Sequence, residues 1–294
     1  MADIALISVA APPRLRAGLK RGGLRLWIGA ALVALLVLSA LFAPVLAPHD
    51  PLAQDLMSAQ LPPAWMTGGD PAYLLGTDSL GRCVLSRLIH SARTAVMVAL
   101  IAATLAAAIG VALGLFAGSF GGWVDQSISR LIDVWMAFPP VLLSIVLAAV
   151  IGAGLTSVIA AIVVVDWTRF ARVIRAETMV QLTRDYAAAA QVIGLSRARL
   201  LRLEILPNLV PLLVTLLAVE MGIAILVEVI LSFVGISVAG DTPTWGSMIA
   251  EGRQIVYQAP WIMALPIVCI ITSVIGLNLF GDGLRLALDP VQRS

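Results

Sequence analysis

The most constraining feature of this chain is the recurrence of uncharged apolar stretches, each about as long as a bilayer is thick. A helix needs about 20 mostly apolar residues to cross the hydrocarbon core. The stretch from Leu26 to Pro48 carries no charge and reads as a first span. A second runs from about Thr94 to Phe120, between Arg93 and Asp125. The uncharged tract from Val134 to Val165 is too long for one helix. The glycines of Ile151–Gly154 lie inside it and offer a turn, dividing it into a third and a fourth span. A fifth fills Pro207 to about Val234, and a sixth runs from about Trp261 to Phe280. Composition agrees. Apolar residues make up 60% of the chain and charged residues 12%, against roughly 45–50% and 25% in soluble domains. The expected fold class is all-α, a polytopic membrane protein of about six transmembrane helices.

Orientation follows from the basic residues, which concentrate in short loops on the inner side. Arg14, Arg16, Lys20, Arg21 and Arg25 precede the first span, whereas His49 to Leu80 contains acids and no Lys or Arg. Placing the N-terminus inside puts 15 basic residues on the cytoplasmic side and four (Arg82, Arg87, Arg93, Arg253) outside. The expected organisation is a cytoplasmic tail over 1–27, a first anchor over 28–48 and an extracytoplasmic segment over 49–92. A core domain over 93–281 follows, then a cytoplasmic tail over 282–294. The polar lead before the first span is long for a signal peptide, and no convincing A-x-A site follows, so this run is read as an anchor.

Several chemistries are excluded at this level. Cys83 lies in a polar loop and Cys269 in an apolar run, so both read as packing residues rather than a disulfide framework. His49 and His90 are far apart and give no metal-ligand cluster. A net charge of +2 argues against a nucleic-acid partner. The sole lysine, Lys20, follows Leu19 rather than the glycine of a phosphate-binding loop. No catalytic residue is expected.

The most specific signal lies in the inner loop, DYAAAAQVIGLSRARLLRLEILPN from Asp185 to Asn208. Ala187 to Ala190 favour helix, and Gly194 supplies a stop. Ser196 is placed to cap a second short helix running to about Ile205, and Pro207 suits the first turn of the following span. This predicts a helix-turn-helix displayed to the cytosol. An amphipathic helix lying on lipid headgroups is the alternative, which Arg197, Arg199 and Arg202 would suit.

The spacing of Ala189, Ala190, Gly194, Leu206 and Pro207 resembles the EAA loop of ABC importer permeases, with Ala188 where that loop carries its leading Glu. Three other segments are similar to permeases of the dipeptide and oligopeptide class, and to their shorter C-type subunit. They are Leu74–Thr94 (with Cys83 in place of an Asp), Ile225–Ile249 and Phe280–Pro290. The resemblance implies a type I ABC importer permease fold in a bacterial inner membrane. It implies that the loop over 178–206, with Asp185, Tyr186, Ala189, Ala190, Gly194, Leu206 and Pro207, is a coupling surface for an ATPase. It further implies a second homologous permease, two ATP-binding subunits using ATP and Mg, and an extracytoplasmic substrate-binding protein. Close relatives in that class carry nickel or other small solutes, so peptide cargo is one of the implied readings.

Glu220 and Glu228 fall inside the fifth span, eight residues apart and so on roughly one helical face. Intramembrane carboxylates usually face protein or a wet cavity. A translocation path that handles a substrate amine is one reading; a structural hydrogen bond is the other. Glu228 matches an acid often seen there in the family. A proton relay through the pair, as in a proton-coupled secondary transporter, is the rival class, though the halves show no convincing inverted repeat. Asp133 and Asp166 are expected to pair with Arg130 or Arg169. Arg169, Arg172 and Arg175 are expected to snorkel to the inner headgroups. Trp123, Trp135, Trp245 and Trp261 read as interfacial belt residues, and Phe138-Pro139-Pro140 as a kink.

Overall fold

The computed structural model describes residues 23–237 and 242–288. Arg14, Arg16, Lys20, Arg21 and Arg293, used above for orientation, lie outside the described residues, as do 238–241 of the outer loop and 289–294 of the C-terminal tail. The described residues form α1 (Gly23–Leu41), α2 (Ala43–Leu46), α3 (Val84–Phe120), α4 (Gly122–Met136), α5 (Pro140–Ile151) and α6 (Leu155–Leu182). These are followed by α7 (Asp185–Val192), α8 (Arg197–Leu200), α9 (Leu206–Phe233), α10 (Trp245–Gln254) and α11 (Trp261–Leu288). No β-strand occurs among the described residues.

Four helical stretches are long and apolar enough to cross a membrane: α1, α3, the stretch Arg197–Phe233 and α11. The α4–α5 pair makes a fifth if counted as one span bent by 85°. The bend falls at Phe138-Pro139-Pro140, where Pro140 opens α5 and lacks the N–H that a continuous helix would donate. The expected break at Ile151–Gly154 is present, with Gly152 and Gly154 at φ +105° and +154°. The fourth expected crossing, α6, has 28 residues, about 42 Å at the helical rise. It falls outside the apolar set because Asp166, Arg169 and Arg172 crowd one membrane-length window.

The most extensive helix pairing among the described residues is between α3 and α6, which run parallel. Gly110, Gly114 and Gly118 form one stripe of α3, and α6 lies directly on it. A Cβ at Gly110 would stand 2.4 Å from the Trp167 carbonyl oxygen, and one at Gly114 2.8 Å from that of Ala171. Small residues at a four-residue interval let two backbones approach where lipid offers no hydrophobic drive for association. The pairing of α1 with α11 repeats this device in antiparallel sense: a Cβ at Gly29 would lie 2.3 Å from Phe280 N.

Four expectations are corrected by the structure. Trp245 is no belt residue; it is buried, and its indole N–H donates to the Leu88 carbonyl at 3.2 Å. Its helix α10 begins with Thr244 and Ser247 in a reciprocal capping box. The arginines of α6 are held by acids rather than snorkelling, and Asp133 pairs with Arg172 instead of Arg130 or Arg169. The second short helix of the inner loop does not end near Ile205. It continues through a π turn, Leu201–Ile205, into α9. Pro207 has no N–H to return to the preceding turn, and the wider turn accommodates its ring.

Candidate coupling surface and its ionic supports

The inner loop is built from its termini inward. Asp185 sits in the first turn of α7, where a carboxylate complements the helix N-terminus. The helix ends in a Schellman arrangement: Leu195 N–H donates to the Ala190 carbonyl at 3.1 Å and Gly194 N–H to that of Gln191 at 3.0 Å. Gly194 adopts φ +83°, and a Cβ placed there would meet nothing within 4 Å. Its requirement is therefore conformational and not a matter of room within this chain. Ser196 stands at the N-cap of α8, as expected, but its hydroxyl makes no capping bond. The Asn208 side-chain amide, in the first turn of α9, donates to the carbonyl of Glu204 in the π turn at 2.6 Å.

The loop has two chemically distinct sides. Ala187, Ala190, Leu200, Ile205 and Leu209 are buried with Ile174 of α6 in a small core of their own. Tyr186 packs against it, and its phenol donates to the Gln181 side chain at 2.6 Å. Burial pushes that phenol above its ordinary range, so it stays a donor at cellular pH. The other side presents Asp185, Ala188 and Ala189, then Val192 at 87% and Ile193 at 76% exposure beside Gly194. Leu206 is half-buried and Pro207 exposed where α9 begins. Two large aliphatic side chains next to a glycine turn, on a frame fixed from behind, make a small apolar knob.

The two candidate path carboxylates are both buried but do not converge. Glu220 accepts from Arg169 Nη1 at 3.1 Å, and Arg169 also approaches Asp166 at 3.9 Å. Glu228 accepts from the hydroxyl of Ser232, one turn along α9, at 2.5 Å. Among the described residues it has no basic partner. The remaining arginines of α6 fasten α4. Arg172 donates to Asp133 at 2.6 Å, and Arg175 grips both carboxylate oxygens of Asp125. Trp135 Nε1 adds a bond to the Val164 carbonyl at 2.6 Å.

A second cluster was not anticipated from the sequence. Asp78 accepts from Arg82 Nε at 2.7 Å, from Arg87 and from two backbone N–H groups. Glu251 of α10 accepts from Arg82 at 2.8 Å and from Arg87 at 2.6 and 3.0 Å. Two acids and two arginines thus join the segment before α3 to α10, which lies far along the chain. The signal available was the dense run Thr77-Asp78-Ser79-Leu80-Gly81-Arg82, whose role depends on a partner that no local pattern announces.

Comparison with known proteins places this architecture. Residues 110–294 match the family described as binding-protein-dependent transport system inner membrane component. The chain belongs to that family. Residues 26–63, carrying α1 and α2, separately match the N-terminal transmembrane domain of oligopeptide transport permease C. The di/tripeptide transport system permease protein DppC of Pseudomonas aeruginosa is 40% identical over 262 residues, covering 89% of this chain and 86% of the relative. The dipeptide transport system permease protein DppC of Escherichia coli K12 is 40% identical over 263 residues, covering 90% and 88%. The solved MetNI methionine ABC transporter, in an inward-facing conformation, shares the fold at a TM-score of 0.59 and 17% identity. That match covers 69% of this chain and 96% of the solved one. The permease is thus a multi-pass inner-membrane subunit of an ABC importer, and the part it plays is transport rather than catalysis.

Proposed function

We propose that this chain is the C-type permease of an ATP-driven peptide importer, in which the loop 178–206 receives the motion of an ATPase subunit. The observation that carries the reading is the knob of Val192 and Ile193 beside Gly194, exposed on a loop whose opposite side is a packed core. Exposed aliphatic side chains ringed by polar residues mark a protein contact when they are held rigidly. Relatives named for di/tripeptide and dipeptide transport, 40% identical over most of the chain, support peptide cargo over nickel or another small solute.

In this reading a second homologous permease completes the path, and two partner subunits hydrolyse ATP with Mg. A binding protein delivers the peptide from outside, and both termini of this chain lie in the cytoplasm. Closure of the ATPases on ATP would draw the two coupling loops together. Tyr186 and the core around Leu200 and Ile205 then pass the movement to α6 and α9, which carry the transmembrane part. Glu220 ties α9 to α6 through Arg169, whereas Glu228 bonds within α9 to Ser232, so the pair supports the path from within this chain.

The test is co-purification of the ATPase subunits with Gly194→Val. A β-branched residue at φ +83° is strained by roughly 1 kcal/mol or more. The span core has no contact with this site, so membrane insertion is expected to persist while ATPase recovery and uptake fall together. Full ATPase recovery and full uptake in this variant would show that the loop is only a connector.

A further inference from the structure

Only Thr183 and Arg184 lie between α6 and α7. So short a joint fixes where the coupling helix starts but leaves its angle to the contacts around it. We propose that Gln181 is the positioning residue that sets this angle, and that its bond with Tyr186 decides how much of the ATPase movement reaches the spans. This role rests on the loop being the ATPase contact proposed above. Gln181 is buried in the last turn of α6. Its side-chain oxygen accepts from the Tyr186 phenol at 2.6 Å, and its amide nitrogen donates to Glu177 Oε1, one turn back, at 2.8 Å. A carboxylate only accepts, so Glu177 takes the NH2 end of the amide and leaves the oxygen facing α7. The phenol is then the donor, and burial keeps its proton in place. The three groups have one consistent arrangement.

This tie differs in kind from the apolar anchorage of the loop. Toward α9 the loop core is hydrocarbon: Leu209 is buried in it, with Leu212 and Leu213 packed alongside. Apolar burial has no preferred direction, so these side chains can shift past one another as α7 tilts. A hydrogen bond weakens steeply off line, and parting two buried polar groups leaves both unpaired at a cost. The Tyr186–Gln181 bond therefore resists the tilt that the packing permits. It also delivers the load to a firm seat. Thr178 is inaccessible, and a Cβ at Gly118 of α3 would stand 2.8 Å from Thr178 Cβ and from the Arg175 carbonyl oxygen. A pull on Gln181 thus enters the α3–α6 pair, whereas without the bond α7 stays docked to the ATPase but slips against α6.

The assembled transporter, with both permeases, the ATPases and the binding protein, is reconstituted in proteoliposomes, and dipeptide imported is counted against ATP hydrolysed. Tyr186→Phe keeps the ring and its packing but removes the donor. Gln181→Met keeps the length of the side chain but removes the acceptor. Each should leave folded yield and ATPase co-purification at wild-type levels, sustain ATP hydrolysis, and lower the dipeptide imported per ATP several-fold. The double variant should be no worse than Tyr186→Phe alone, because both changes remove the same bond. If Gln181→Met lowers folded yield, Tyr186→Phe decides the matter. A wild-type ratio in Tyr186→Phe would overturn the assignment. So would a loss of folded yield in that variant, which would make the bond structural only. A parallel fall of ATPase recovery and uptake would overturn it too, since the phenol would then belong to the docking surface. A wild-type ratio in Tyr186→Phe beside lost docking in Gly194→Val removes this tie alone, whereas full docking and uptake in Gly194→Val removes the coupling reading itself.

Discussion

Arg87 holds Glu251 through both terminal nitrogens, at 2.6 and 3.0 Å, while its Nη1 also reaches Asp78. The start of α3 is thereby tied to α10, a short helix that lies between two spans and packs Trp245 against Leu88. Arg87 and Asp78 are nearly inaccessible, at 3% and 1%, whereas Glu251 is 35% exposed.

That asymmetry sets the expected costs. Arg87→Ala leaves Asp78 buried with Arg82 as its remaining cation, and breaking a buried pair costs about 3 kcal/mol. Glu251→Gln removes a partly solvated charge and should cost about 1 kcal/mol or less. Thermal unfolding of the purified protein in detergent would rank the two. Equal, small losses would mean that the cluster does not fasten α10.

Gly110 and Gly222 should respond in opposite ways to a side chain. At Gly110 a Cβ would meet the Trp167 carbonyl oxygen at 2.4 Å and the Phe170 Cβ at 2.5 Å, so α3 and α6 must separate. Gly110→Val is expected to abolish folded yield. At Gly222 the nearest atom is the Val274 Cγ1, at the ordinary distance of 3.6 Å. Gly222→Ala should be neutral or stabilising by up to about 1 kcal/mol through helix propensity. Folded yield by size-exclusion chromatography distinguishes the pair.

Glu228 and Glu220 should also separate. Glu228→Gln keeps an oxygen for the Ser232 hydroxyl and removes no ion pair among the described residues, so stability and uptake should stay close to wild type. Glu220→Gln strips Arg169 of its nearer carboxylate and leaves Asp166 at 3.9 Å. The second variant should be the less stable of the two. Loss of uptake in Glu228→Gln with normal stability would instead put that carboxylate on the substrate's route.

Topology is open to direct labelling. Met57, 95% exposed in the segment before α3, should react as Met57→Cys with an impermeant thiol reagent added outside. Ser196→Cys should react only from the cytoplasmic side. Cys83 is buried, which keeps the background low. The reverse pattern would invert the orientation and remove the ATPase from the loop.

The spans were legible because charge is absent over whole membrane lengths, as from Leu26 to Pro48. The turn at Gly194 was legible because a glycine after a run of alanines has a local cause and a local effect, and Gly194 carries both. What escaped depended on partners distant in sequence. Arg172 and Arg175 look like interfacial anchors until α4 brings Asp133 and Asp125 to them. Trp245 looks like a belt residue until Leu88 supplies an acceptor. The Gly110, Gly114 and Gly118 stripe also escaped, since spacing alone does not say which helix lies on it.

The most direct measurement is uptake of a labelled dipeptide by proteoliposomes holding this chain with its second permease and both ATPases. Uptake is expected only with ATP and Mg inside, binding protein outside, and no loss on adding a protonophore. Replacing Val192 and Ile193 together by Asp should remove uptake while the purified spans remain folded. Uptake driven by a proton gradient without nucleotide would contradict the assignment, as would ATP-driven uptake untouched by the charged knob.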